Sequence, residues 1–143
     1  MTENQPKPSQ ERREFLRLNF RSPVEFICFS PDKLNQSKPQ AAASDQAVSE
    51  NISPSGILFR TENRHPEVSS VLWMNVDIRT LRICQEIEKR AIILNSGILG
   101  RVVRVEEDTK NNRAYDVGVC FLTQDQRNSK EIEKILSTIS HSK

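Results

Sequence analysis

The sequence predicts a mainly β fold, a small antiparallel six-stranded β-barrel followed by a C-terminal α-helix. Three observations predict it. Short runs rich in β-branched and aromatic residues recur along the chain, separated by clusters of Pro, Gly, Ser and Asn. Two of these runs, Val71–Ile78 and Tyr115–Phe121, alternate apolar with polar residues, the period of a strand with one buried face. Only near the end does the period change, where Ile132, Ile135, Leu136 and Ile139 fit one face of a helix. Many short strands and then one helix call for a barrel, because a lone short helix must dock its apolar stripe on something.

Taken in order, residues 1–10 are polar, contain Pro6 and Pro8, and read as a disordered tail. Residues 11–22 form a basic arm in which Arg12, Arg13, Arg17 and Arg21 interleave with Phe15, Leu18 and Phe20. Pro23 opens a strand through Phe29. Residues 31–45 are rich in Pro, Ser, Gln and Ala and read as a mobile loop longer than most connections need. A strand through Gln46–Glu50 and another through Ile57–Thr61 flank Ser53-Pro54-Ser55-Gly56, where Pro suits the second turn position and Gly the fourth. The turn makes the two a hairpin.

Val71–Ile78 puts Leu72, Met74, Val76 and Ile78 on one face and Trp73, Asn75 and Asp77 on the other. Trp73 is expected to pack under the C-terminal helix. Residues 79–89 fit a helical turn or a ragged hairpin. Ala91–Leu94, the turn Asn95-Ser96-Gly97, and Leu99–Val105 follow, with Val103 and Val105 sharing a face around Arg104. The closing helix is expected over residues 128–140, started by Asn128 with Glu131 as a capping box.

Composition narrows function. The chain has 143 residues, enough for one domain with tails. Its 21 basic and 19 acidic residues give a net charge of +2, too balanced for backbone-driven nucleic-acid binding. No nucleic acid partner is therefore expected. Three cysteines without a CxxC pair read as reduced thiols of a cytoplasmic protein. No leader-like apolar stretch opens the chain, and no run reaches the roughly 18 apolar residues of a membrane span, so no membrane insertion is expected. No nucleophile–base set, metal-ligand spacing or Gly-rich phosphate loop is present, so no enzyme, metal or cofactor is expected. Asp77 and Asp116 are single carboxylates that read as solvated charge.

Two stretches suggest a ligand. Arg13 and Arg17 offer planar forks that hold phosphates bidentately, pair with guanine O6 and N7, or stack on a purine. Asn51 and Ser53 carry short polar groups able to reach a base edge, and Gly56 removes a side chain where backbone must come close. Together they suit an anionic purine ligand.

These motifs resemble the PilZ domain family of bacterial cyclic di-GMP receptors. Arg13-Glu14-Phe15-Leu16-Arg17 fits the family's RxxxR, and Asn51-Ile52-Ser53-Pro54-Ser55-Gly56 fits its [D/N]xSxxG. Gly100–Arg104 and Tyr115–Phe121 match its late G-x-V-x-R and Y-x-V-G-V-x-F strands. The resemblance covers residues 11 to the C-terminal helix, and implies a single domain over 11–143. It implies cyclic di-GMP as ligand, gripped by Arg13 and Arg17, with Asn51 and Ser53 at the guanine edge and Gly56 allowing close approach. Arg12 and Arg104 would add further contacts. Asn51 stands where many members carry Asp. The signal would pass to a downstream protein through ordering of the arginine arm, since no run reads as an output domain. Some members are instead adaptors in pilus assembly or motility that bind no nucleotide, and that is the alternative.

Overall fold

The computed structural model describes residues 18–30, 44–62, 64–110 and 113–141. The expected tail, most of the arm with Arg12, Arg13 and Arg17, and nearly all of the 31–45 loop lie outside the described residues.

Eight strands form one antiparallel sheet: β1 Leu18–Asn19, β2 Pro23–Phe29, β3 Asp45–Ser53, β4 Gly56–Glu62, β5 Val71–Asn75, β6 Ile93–Leu94, β7 Gly97–Glu107 and β8 Ala114–Phe121. The path runs β3-β2-β5-β7-β8-β4, and β4 pairs back onto β3, so the sheet closes into the expected six-stranded barrel. Closure leaves its long strands without a free edge. The two-residue strands β1 and β6 are appended to β3 and β7. The barrel interior is filled by Val24, Phe26, Ile52, Ile57, Phe59, Leu72, Met74, Val117 and their neighbours. Phe26 and Phe59 meet there with ring centroids 5.1 Å apart.

A second apolar cluster lies outside one half of the barrel wall. Phe29, Val71 and Leu99, outward-facing on β2, β5 and β7, pack with Ile132, Ile135 and Ile139 of helix α2 (Lys130–His141). These three strands are therefore apolar on both faces, one lining the barrel and one under the helix. Trp73 joins this cluster, as expected, and its indole N–H donates to the Leu94 carbonyl at 2.7 Å. Arg101 on β7 also ties the helix down through Glu131.

Several local expectations change. The alternating run at 71–78 is a strand only to Asn75, although Val76 and Ile78 are still buried. The ambiguous 79–89 segment runs into α1 (Cys84–Arg90), which buries Ile87 completely in the barrel core. Ala91 forms a single bridge to Thr123 rather than part of a longer strand. Helix α2 is capped by Ser129, whose hydroxyl accepts from the Ile132 N–H at 3.2 Å, not by Asn128. The capping box lies instead at Thr123 and Gln126, around the 3-10 turn Gln124–Gln126. Asp77 sits in a loop, and bonds from Arg79 hold its carboxyl down to about 2.

Candidate functional site

The half of the barrel wall not covered by α2 carries a groove of about 660 Å³ across β3, β4, β8 and β7. That is within the usual size range for a small-molecule site. Asn51, Ser53, Gly56 and Arg104 all line it, so the fold brings Arg104 to the Asn51–Gly56 motif about 50 residues before it.

Two β-bulges bring this about. In β3 the inward positions are Ala47 and Ser49, and plain alternation would put Asn51 in the core. The register shifts between Ser49 and Asn51, making Glu50 the extra residue. The slip sends Ile52 inward, fully buried, and turns Asn51 outward. The same device operates in β7, where the register shifts between Val102 and Arg104. Val102 is buried, Val103 is the extra, 52% exposed residue, and Arg104 faces out. Val103 and Val105 thus do not share a buried face, and only Val105 packs on the core.

With both bulges in place, Asn51 pairs with Leu58, Leu58 with Gly118, and Gly118 with Arg104. The four residues form one row across four strands. At roughly 4.8 Å per strand, Asn51 and Arg104 are held about 14 Å apart along the wall. Gly118, at the centre of the row, leaves the groove floor open. A Cβ there would meet nothing closer than 3.7 Å.

The next row is Ser53, Gly56, Cys120 and Arg101. Ser53 Oγ accepts from the Ser55 N–H at 3.2 Å and lies 3.2 Å from the Ser55 hydroxyl. The Phe121 N–H donates to the Ser55 carbonyl at 2.9 Å, pinning the turn to the end of β8. Gly56 is required for a reason other than ligand approach: a Cβ would run into the Val119 carbonyl of β8. Among the described residues, nothing hydrogen-bonds the Asn51 amide, which is half-buried at the groove wall.

On the other side of the Asn51 row stand Val48, Arg60, Asp116 and Glu106. Arg60 is surrounded by Glu50, Asp108 and Asp116. Asp116 is thus an ion-pair partner rather than solvated charge. Burial, and then the neighbouring Asp116, push the Glu50 carboxyl up from its usual value. That side of the wall is acidic, whereas the groove lining among the described residues includes Arg90 and Arg104 and no carboxylate. An anion is favoured in the groove itself.

Arg12, Arg13 and Arg17 lie outside the described residues, but the chain just after them is placed. Leu18 pairs with Ile52 and Asn19 with Asn51, and the Phe20 N–H donates to the Glu50 carbonyl at 3.1 Å. Ser49 Oγ donates to the Phe20 carbonyl and accepts from the Ser22 N–H. Residues 18–22 are therefore fixed on the strand that carries Asn51, and this part of the expected arm is bound to the barrel. Arg90, Gly118 and Cys120 were not evident as site residues, because strand pairing brings Gly118 and Cys120 beside the motif and the placement of α1 brings Arg90 there.

Residues 11–137 match the family model for the PilZ domain. The chain belongs to the PilZ domain family. PilZ domains are receptor or adaptor modules, in general receptors for cyclic di-GMP. No curated protein matches the chain. Among solved structures, it is similar to the Bacillus subtilis inhibitor of motility (MotI/DgrA), at 11% identity and a TM-score of 0.47, over 90% of this chain and 52% of that one. It is also similar to the PilZ domain of CeSA from a cellulose-synthesizing bacterium, at 12% identity and a TM-score of 0.40, over 87% of this chain and 98% of that one. The chain spans about half the length of the motility inhibitor. Family membership rests on the family match rather than on these overlaps. No helix among the described residues is long and apolar enough to cross a membrane.

Proposed function

We propose that this PilZ domain is a receptor for cyclic di-GMP and that the Asn51–Arg104 groove is the fixed half of its binding site. One observation carries the reading. Two independent bulges turn Asn51 and Arg104 out of the core and into one groove, lined by no carboxylate among the described residues, beside the strand that follows Arg17. Asn51 and Ser53 meet the guanine edge, and Arg104 faces the phosphates. Arg13 and Arg17, with Arg12 beside them, supply the second half from the chain just upstream of β1. Ligand phosphates neutralise these arginines and draw the segment onto the barrel, an ordering step coupled to binding. The surface so formed is read by a downstream protein. Gly56 serves the site indirectly, by letting β4 approach β8.

Calorimetry with cyclic di-GMP on the wild type and on Arg17→Ala, with GTP as control, tests this. The wild type is expected to bind cyclic di-GMP in preference to GTP, and the variant to lose at least tenfold in affinity, as for removal of a charge-assisted bidentate contact. No binding by the wild type would overturn the receptor reading in favour of a nucleotide-independent adaptor, and equal binding by both proteins would remove the arginine role.

A further inference from the structure

Helix α1 belongs to neither ligand motif, yet its last residue, Arg90, lines the groove with Asn51, Ser53 and Arg104. Its backbone position is tightly fixed. Ile87, one turn earlier, is fully buried, and its carbonyl accepts from the Ala91 N–H at 2.8 Å. Ala91 bridges to Thr123, and the Gln124 amide donates to the Ala91 carbonyl at 2.8 Å. The Ile92 N–H donates to the Leu122 carbonyl at 3.1 Å. The end of α1 is thus fastened where β8 runs out, next to the Ser53–Gly56 turn that Phe121 also holds.

Among the described residues the charge on Arg90 has no carboxylate partner. Arg60, Arg79 and Arg101 each have a close carboxylate partner. No carboxylate among the described residues lines the groove either. Its place in the last turn of α1 suits a cation on helix-dipole grounds, but Lys89 satisfies that preference equally and does not line the groove. A guanidinium on a fixed backbone, facing a concavity without a carboxylate among the described residues, needs no ordering of the main chain to meet an anionic oxygen, and its planar fork loses less freedom per hydrogen bond than an ammonium would.

We propose that Arg90 is a ligand-binding residue of this groove, gripping a phosphate of the bound cyclic dinucleotide from the α1 end while Arg104 faces it from β7. The inference rests on the receptor reading above. Two guanidinium groups then match the two phosphates of the ligand before the upstream arginines are counted. The groove accordingly retains measurable affinity when the RxxxR motif is broken, and that remaining affinity depends on Arg90.

The test is calorimetric titration of cyclic di-GMP into the wild type, Arg90→Ala, Arg90→Lys and Lys89→Ala, with thermal melts of each. Arg90→Ala is expected to weaken binding about tenfold with an unchanged melting temperature, Arg90→Lys to restore part of the loss, and Lys89→Ala to bind within about twofold of the wild type. Wild-type affinity in Arg90→Ala would overturn the inference and leave the receptor reading standing, as would an equal loss in Lys89→Ala, which would mark a general charge effect. A wild type that binds no cyclic di-GMP would overturn both.

Discussion

The indole of Trp73 fills the space that a side chain on residue 97 would need. A Cβ built on Gly97 collides with the Cε2 and Nε1 atoms of that ring, and the ring is held by its bond to the Leu94 carbonyl. Gly97 closes the Asn95-Ser96 turn, where those two residues, not the glycine, carry the positive φ angles of 53° and 67°. Gly97→Ala is therefore expected to destabilise the protein by about 1–3 kcal/mol through overpacking. It should also shift Trp73 emission to the red, as the ring is pushed out from under α2. A melting temperature and emission spectrum equal to the wild type would contradict this account.

Asn51 stands half-buried with its amide unbonded among the described residues. An amide offers one acceptor oxygen, whereas a carboxylate offers two and bonds more strongly to N–H donors. Asn51→Asp is expected to tighten binding of cyclic di-GMP by roughly five- to tenfold, about 1 kcal/mol, through the guanine edge. Calorimetry on the two proteins under one buffer condition decides it, and weaker binding by the aspartate variant would place the phosphates, not the base, next to residue 51.

Gly118 leaves the groove floor open without being required by the backbone, since an added Cβ meets only ordinary contacts. Gly118→Val should fold at least as well as the wild type, because a β-branched residue suits a strand better than glycine. It should cost at least tenfold in ligand affinity, about 1.4 kcal/mol, by filling the floor between Leu58 and Arg104. A variant that melts normally and binds normally would move the ligand off this row.

Glu50 gives a pH dependence. Its carboxyl is pushed up by burial and by Asp116, so the folded protein holds the proton more readily than the unfolded chain does. The resulting contribution to stability is present below the ordinary carboxylate value and is lost as pH rises through the raised one. Glu50→Gln fixes the uncharged state. Its stability relative to the wild type should therefore improve from pH 4 towards neutrality, read as urea midpoints across that range. A constant difference between the two proteins would show that the Arg60 ion pair cancels the burial, and a difference that worsens for Glu50→Gln towards neutrality would show that it outweighs it.

Strand pattern, turn chemistry and the apolar stripe of the last helix were legible in the sequence because each leaves a periodic mark several residues long. The two ligand motifs were legible as motifs. The bulges at Glu50 and Val103 were not, since one extra residue leaves no compositional trace and yet reverses every face after it. This is why Val103 reads as a partner of Val105 and is instead exposed. Helix α1 was obscure for a related reason: seven residues with one fully buried side chain, Ile87, hold too little period to separate helix from hairpin. Arg90 could not be reached from sequence, because its neighbours in the groove come from strands up to 39 residues before it and 30 after it.

The short strand β1 has a consequence for how the upstream arginines act. By fastening Leu18 and Asn19 to Ile52 and Asn51, it fixes the point on the barrel from which the upstream chain departs, so in the proposed site it shortens the tether on which Arg17 would meet a ligand. A peptide bond sets Arg17 one Cα step, about 3.8 Å, from a strand already in place. The tether is then as short as a chain permits, and short tethers give local concentrations on the order of millimolar or more. In the proposed receptor the closing of the site on its ligand would then depend on the few residues from Arg12 to Arg17 and little on the length of chain before them.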